Sequence, residues 1–215
     1  MIIAIDGPAG AGKSTIARRL GEELGLFFLD TGAMYRAVAL EVLRRGIDPT
    51  DAAAVNAVAE SIDLAFDEHG IVINGVSAAR EVRDPGVDGI VSVVAAHPGV
   101  RSAIVPKQTL VAERRGGVVA EGRDVTTVVF PQAEHRFFLD ASPAERARRR
   151  AAQLGQPERE AEIRAGIEDR DRIDSTRADS PLTLGEGVER IDTDPFGVDE
   201  VVALLLERVR AGERR

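Results

Sequence analysis

Gly7-Pro8-Ala9-Gly10-Ala11-Gly12-Lys13-Ser14 is a complete G-x-x-x-x-G-K-S sequence, and its reading decides both the fold class and one ligand. The flanks have the character this motif requires. Ile2-Ile3-Ala4-Ile5 is a short buried-strand run, and Ile16, Ala17, Leu20 and Leu24 fall on one face of a helix starting at Lys13. Glycines let the backbone wrap an anion closely, so that successive N–H groups and a helix N-terminus point at phosphates. Gly7, Pro8, Ala9, Gly10, Ala11, Gly12, Lys13, Ser14 and Thr15 are therefore expected to hold the phosphates of ATP. Lys13 reaches the β- and γ-oxygens and Ser14 offers its hydroxyl to Mg²⁺. A chance glycine-rich turn would not be preceded by a strand and followed by a helix.

The choice of lysine supports the same reading. Of 28 basic residues only Lys13 and Lys107 are lysine, yet lysine stands inside the loop. An ammonium is a compact point charge and a guanidinium a rigid fork, so the two are not interchangeable against a phosphate.

Composition narrows the remaining possibilities. A chain of 215 residues fits one domain with room for insertions. No apolar run approaches the roughly 18 residues of a membrane span. Met1 runs directly into the first strand, with no space for a signal peptide, and the chain has no cysteine. A cytoplasmic location is expected on those grounds. His69, His97 and His135 stand far apart, without metal-ligand spacing. A net charge of −8 speaks against a nucleic-acid polymer as partner.

Hydrophobic runs alternate with helical segments along the chain. Strands are expected at Leu26–Leu29, Val118–Ala120, Arg136–Leu139 and Val188–Ile191. Helices are expected over about 33–45, 50–61, 86–96, 100–115 and 198–210. Pro106 should kink or split the fourth of these. Ser142-Pro143-Ala144-Glu145 is a capping box with proline at the first helical position. Residues 62–85 change character: Asp63–Asp67 alternates, Gly70–Gly75 reads as a strand ending in an Asn-Gly turn, and Arg80–Arg83 alternates again. That stretch is expected to be a small antiparallel meander. The pattern as a whole predicts an α/β three-layer fold with a central parallel sheet, ligands lying beyond the carboxyl ends of the strands.

A phosphate loop says nucleotide, not what is done with it. The guanine-reading Asn-Lys-x-Asp sequence is absent, since the asparagines are only Asn56 and Asn74. The small size points to transfer onto a small acceptor. Three constellations agree: Asp30-Thr31-Gly32-Ala33-Met34-Tyr35-Arg36, Glu121-Gly122-Arg123-Asp124, and Arg170-Asp171-Arg172-Ile173-Asp174-Ser175-Thr176-Arg177. Residues 142–177 hold nine arginines, no lysine and eight acidic residues. A solvated helix laced with i,i+4 ion pairs explains Arg159 and Arg164. It explains Arg36 and Arg123 poorly, because those follow strands. Converging arginines suit phosphoryl transfer, in which two anionic groups meet and charge spreads over equatorial oxygens. An arginine-rich lid over about 146–172 would expel water on closing.

These residues resemble the bacterial cytidylate kinases over essentially the whole chain. The resemblance is carried by Ile5-Asp6-Gly7 with the rest of the loop, Asp30–Arg36, Glu121–Asp124 with Thr127-Val128-Val129-Phe130-Pro131, and Arg170, Asp174 and Arg177 before Pro181-Leu182. It implies a nucleoside monophosphate kinase fold, a monomer, ATP and Mg²⁺, and transfer to CMP or dCMP. It further implies a small three-stranded sheet in an acceptor subdomain over about 31–115. By resemblance, Lys13, Arg123 and Arg177 are catalytic, and Arg36, Arg123 and Arg177 hold the acceptor phosphate. Asp174 with Arg170 binds the ribose hydroxyls, and Thr31, Ser92, Arg101 and Asp124 recognise cytosine. Glu121 stands where the family often has aspartate and would assist Mg²⁺ indirectly. The alternatives are another small-acceptor kinase, for a different nucleoside monophosphate or a metabolite such as shikimate, and a nucleotide-gated binding module without turnover.

Overall fold

The computed structural model of the chain describes residues 1–212. In chain order the elements are β1 (Ile2–Asp6), α1 (Lys13–Leu24), β2 (Phe27–Asp30), α2 (Thr31–Arg44), α3 (Ala52–Ser61), β3 (Leu64–Phe66), β4 (Ile71–Ile73), β5 (Val76–Ser77), α4 (Pro85–Ala96) and α5 (Pro98–Arg115). Then follow β6 (Val118–Glu121), β7 (His135–Asp140), α6 (Pro143–Leu154), α7 (Glu160–Thr176), β8 (Glu189–Asp192) and α8 (Val198–Gly212). The chain divides into two compact units. One comprises Met1–Leu29, Ala112–Thr176 and the described residues from Ser180 on; the other comprises Asp30–Val111 with Arg177–Asp179. Against an expected subdomain over 31–115, the second unit ends at Val111 and takes in Arg177–Asp179.

The first unit is built on a five-stranded sheet in the order β2-β6-β1-β7-β8. β1 pairs in parallel with both β6 and β7, setting Ile5 beside Glu121 on one side and Phe137 on the other. Because side chains alternate along a strand, Ile3 and Ile5 face one side and Asp6 the other. Ile3, Ile5, Phe137 and Leu139 bury themselves against Ile16 and Leu20 of α1 and Val202, Leu205 and Val209 of α8. Asp6 is fully buried on the opposite face. Its carboxylate accepts from the backbone N–H of Val125 at 2.9 Å, and from the N–H and hydroxyl of Thr126 at 2.8 and 2.6 Å. Burial pushes the Asp6 carboxyl up to about 6, the Thr126 hydrogen bonds opposing it. Val125–Val129 form a single π-helical turn that the sequence pattern does not announce.

In the second unit α2 is stopped from fraying at its start by Asp30, whose side chain accepts from Ala33 N at 2.8 Å. The helix therefore begins two residues earlier than its periodicity suggests. Asp51 caps α3 in the same way, accepting from Ala54 N at 3.1 Å. β3, β4 and β5 form the antiparallel sheet, with one correction. The third strand is Val76–Ser77, and Glu81–Arg83 is a short 3₁₀ turn. Asn74 (φ 50°) and Gly75 (φ 81°) are both left-handed, the geometry of a two-residue hairpin, so the chain pairs again at once and Ile73 meets Val76. Pro106 neither splits α5 nor ends it; the helix runs from Pro98 to Arg115 around it. A sharp bend lies at His97, where α4 and α5 meet at 98°. Among the described residues no single helix is long and apolar enough to cross a membrane.

Candidate active site

The phosphate loop begins where β1 ends. Gly7 takes φ 148°, and a Cβ there would lie 2.0 Å from the Leu139 carbonyl oxygen, so only glycine lets the loop cross β7 this closely. Gly10 (φ 80°) and Gly12 (φ 83°) are left-handed as well, and Gly12 caps α1 without any side-chain hydrogen bond. The start of α1 thus presents its backbone amides with no side-chain acceptor on them. The Lys13 ammonium is buried and donates to the Pro8 carbonyl at 2.8 Å. No carboxylate among the described residues forms an ion pair with it. Burial, and then the positive charge of Arg123, push its pKa down to about 7, although Glu121 pulls the other way. A buried ammonium whose hydrogen bond goes to a backbone carbonyl, beside uncapped amides and a glycine cradle, fits a triphosphate.

Ser14 follows on α1, and its hydroxyl donates to Glu121 Oε1 at 2.8 Å from the end of β6. Both offer hard oxygen ligands. No cluster of three or more His, Cys, Asp or Glu side chains fit for a metal exists among the described residues. Mg²⁺ is commonly held by one or two protein oxygens together with substrate phosphates, and Ser14 with Glu121 offers such oxygens.

Past β6, Arg123 donates through Nε to Asp174 Oδ2 of α7 at 3.0 Å and through Nη1 to Gly122 O at 3.2 Å. Burial works against its charge, but Asp174 and Glu121 outweigh that and hold its pKa above the ordinary value. Lys13, Glu121, Arg123, Arg170 and Asp174 are therefore one electrostatic neighbourhood in the first unit, with Asp124 buried beside them in sequence. Asp124 stands at the start of the π-helical turn, its carbonyl accepting from Val128 N at 2.8 Å.

In the second unit Thr31, Arg36, Ser92, Arg101 and Arg177 are all buried. Arg36 is fixed from two sides, with Nη2 on Asp88 Oδ1 at 2.5 Å and Nη1 on Val82 O at 3.1 Å. Arg101 stacks its guanidinium over the Tyr35 ring at 5.1 Å and donates to Ala95 O at 3.3 Å. Sequence reasoning gave no role to the partners Asp88, Val82 and Tyr35, although Tyr35 and Val82 lay within stretches that it read.

The segment expected as a lid is a helical pair, α6 and α7, joined through a 3₁₀ turn at Pro157–Arg159. Its base is anchored and its tip exposed. Arg146 is buried, whereas the residues around Leu154 to Glu162 are mostly in solvent. Many of its arginines are already matched: Arg148 and Arg149 to Glu145, Arg159 to Glu162, Arg164 to Glu168 and Arg172 to Asp169. The solvated ion-pair explanation thus reaches further than Arg159 and Arg164. The capping box forms by half. Ser142 accepts from Glu145 N at 3.3 Å, but the Glu145 carboxylate turns to Arg148 and Arg149, and its pKa falls to about 2. Asp194 takes the Ser142 N–H instead, at 2.9 Å.

A model of the cytidylate kinase family matches residues 3–211. The cytidylate kinase of Pelotomaculum thermopropionicum is 47% identical over 220 residues, covering 99% of this chain and 97% of that protein. The cytidylate kinase of Mycobacterium leprae is 44% identical over 213 residues, covering 98% and 96%. A bifunctional pantoate ligase/cytidylate kinase of Parasynechococcus marenigrum is 46% identical over 219 residues, covering 98% of this chain but only 44% of that protein. The chain thus spans less than half the length of such bifunctional relatives. Two solved structures share the fold over 98% of the chain. One is an uncharacterized protein from Eubacterium ventriosum, with a TM-score of 0.54 at 11% identity and 98% of its own chain covered. The other is a Thermus thermophilus protein, with a TM-score of 0.50 at 22% identity and 96% covered.

Proposed function

The chain belongs to the cytidylate kinase family, and we propose that it transfers the γ-phosphoryl group of ATP to CMP and dCMP, giving CDP and dCDP. The observation that carries this reading is the family match, which runs from the strand before the phosphate loop to the last helix. Gly7 to Thr15 hold the triphosphate, and the buried Lys13 ammonium lies against the oxygens on which charge develops. Ser14, with Glu121 hydrogen-bonded to it, would hold Mg²⁺. That ion would neutralise charge on the triphosphate.

The nucleophile is already a phosphate oxygen, so no protein base has to activate it. Positioning and electrostatics do the work. Arg36, Arg123 and Arg177 hold the acceptor phosphate, and Arg123 and Arg177 also stabilise the transferring group. Arg36 and Arg123 come with their orientation set, through Asp88 and Asp174 respectively, so little side-chain entropy remains to be lost on binding. Asp174 with Arg170 takes the ribose hydroxyls.

Thr31, Ser92, Arg101 and Asp124 read the base. Cytosine offers an N4 amino donor with N3 and O2 acceptors; a carboxylate accepts from the first and a guanidinium donates to the others. Uracil inverts two of these groups. A coupled assay of ADP release over CMP, dCMP, UMP, AMP and shikimate tests the reading, with CMP and dCMP expected to lead. Preference for shikimate would favour a metabolite kinase, and no acceptor-dependent ADP would leave a binding module.

A further inference from the structure

We propose that Arg146 and Asp171 form a clasp on the phosphate loop at Ala9, and that Asp171 is a positioning residue which sets the loop's affinity for the triphosphate. The inference rests on the reading of the loop as an ATP site. It concerns two residues outside the set that binds phosphate, base or ribose.

Both polar groups of one loop residue are held from outside. The Ala9 N–H donates to Asp171 Oδ1 of α7 at 3.0 Å, and the Ala9 carbonyl accepts from Arg146 Nη1 of α6 at 2.8 Å. The same Arg146 nitrogen also donates to Asp171 Oδ2, which closes a ring of hydrogen bonds around the peptide units on either side of Ala9. Arg146 cannot swing away, because its Nε donates to Ala141 O at 2.9 Å and the side chain is buried. Apolar contacts reinforce the join: Ala9 packs with Ala147 of α6 and Ile167 of α7. A Cβ on Gly10 would lie 3.1 Å from Arg146 Cβ, so the loop passes close against α6.

The physical consequence is pre-organisation. A loop with left-handed glycines at positions 10 and 12 has many conformations open to it, and each must be given up when a phosphate is cradled. Fixing the peptide planes at Ala9 removes part of that cost before the ligand arrives. Charge matters too. Arg146 brings a positive charge to the loop, and Asp171 neutralises it without occupying Lys13. Asp171 thus acts on the loop through backbone geometry, while its charge also reaches Arg123, so its effect should fall far more on ATP than on the acceptor.

Steady-state kinetics at saturating CMP, together with binding of a fluorescent ATP analogue, test this in Asp171→Ala and Asp171→Asn. Asp171→Ala is expected to raise KM for ATP and the Kd of the analogue about tenfold, with a much smaller change in KM for CMP. Asp171→Asn keeps an oxygen acceptor for the Ala9 N–H and should recover most of that loss. Unchanged affinity for the analogue in Asp171→Ala, or equal rises of KM for ATP and CMP, or no recovery in Asp171→Asn, would each overturn the clasp. Should Asp171→Ala fail to fold, hydrogen exchange of the Ala9 amide in the ligand-free wild type decides. Strong protection supports the clasp, and exchange at the rate of an open loop overturns it. Failure of the kinase reading looks different, since wild type would then form no acceptor-dependent ADP while the binding measurements still report on the clasp.

Discussion

The Ser14 hydroxyl donates to the Glu121 carboxylate at 2.8 Å, joining the first turn of α1 to the end of β6. Glu121 is the last residue of β6, and Ser14 follows the loop that leaves the adjacent parallel strand β1, on the side where open α/β sheets place their ligands. In the proposed reading this pair would hold Mg²⁺, Ser14 through its hydroxyl and Glu121 by orienting it. Glu121→Gln should therefore raise the Mg²⁺ concentration needed for half-maximal rate by about tenfold, in the range of a lost ligand-orienting group. Titrating activity with Mg²⁺ at saturating ATP checks this. Glu121→Asp should fall between the two, and an unchanged Mg²⁺ requirement in Glu121→Gln would leave the carboxylate a purely structural partner of Ser14.

Lys13 titrates from about 7 in the folded, ligand-free chain, against an ordinary 10.5. Between those values the unfolded chain holds the proton and the folded chain has lost it, so this group makes stability rise with pH across that window. A triphosphate restores the charged form. Binding of ATP at pH 8 should accordingly take up a proton, seen as a difference in calorimetric heat between Tris and HEPES. Lys13→Met should abolish the uptake. Both Lys13→Ala and Lys13→Arg should lower kcat by at least roughly 10² without unfolding the chain. Near wild-type turnover in Lys13→Arg would contradict the assignment.

Asp124 is buried at the start of the π-helical turn, and its carboxylate is assigned to the cytosine amino group. Asp124→Ala should lower kcat/KM for CMP far more than for UMP, since each mismatched buried group costs about 1–3 kcal/mol. In the unsubstituted chain CMP should lead UMP by roughly 10² or more on the same grounds. Equal losses for both nucleotides would place Asp124 in the transfer machinery.

The exposed tip of the α6–α7 pair is expected to close over bound nucleotides while its base stays held by Arg146. Hydrogen exchange with ATP and CMP together should slow between about residues 148 and 164, and change little around Ala147 and Ile167. Equal exchange with and without ligands would make the pair a static buttress.

Much of this was legible before any coordinates. The phosphate loop, the strand before it and the helix after it follow from local sequence alone, because hydrophobic period and glycine spacing are local signals. The Asn74-Gly75 hairpin is equally local, yet its third strand was expected at Arg80–Arg83 because alternating charge looked like a strand face. The turn's own geometry demands pairing at once, at Val76. What stayed hidden depends on distant pairings. Asp88 holding Arg36, Asp6 bracing Thr126 and Asp171 gripping Ala9 join residues 52, 120 and 162 positions apart, and no periodicity carries that information. For the lid arginines the local signal was legible but read too narrowly. Carboxylates three or four residues away meet Arg148, Arg149 and Arg172 as well as Arg159 and Arg164.

The most direct measurement follows the phosphoryl group itself. Incubating the chain with γ-labelled ATP, Mg²⁺ and an equimolar mixture of CMP, UMP, AMP and shikimate, and separating the products, shows where the label goes. The account predicts labelled CDP as the main early product, formed one for one with ADP and absent in Lys13→Met. Label appearing chiefly in another acceptor, or ADP accumulating with free labelled phosphate and no CDP, would contradict it.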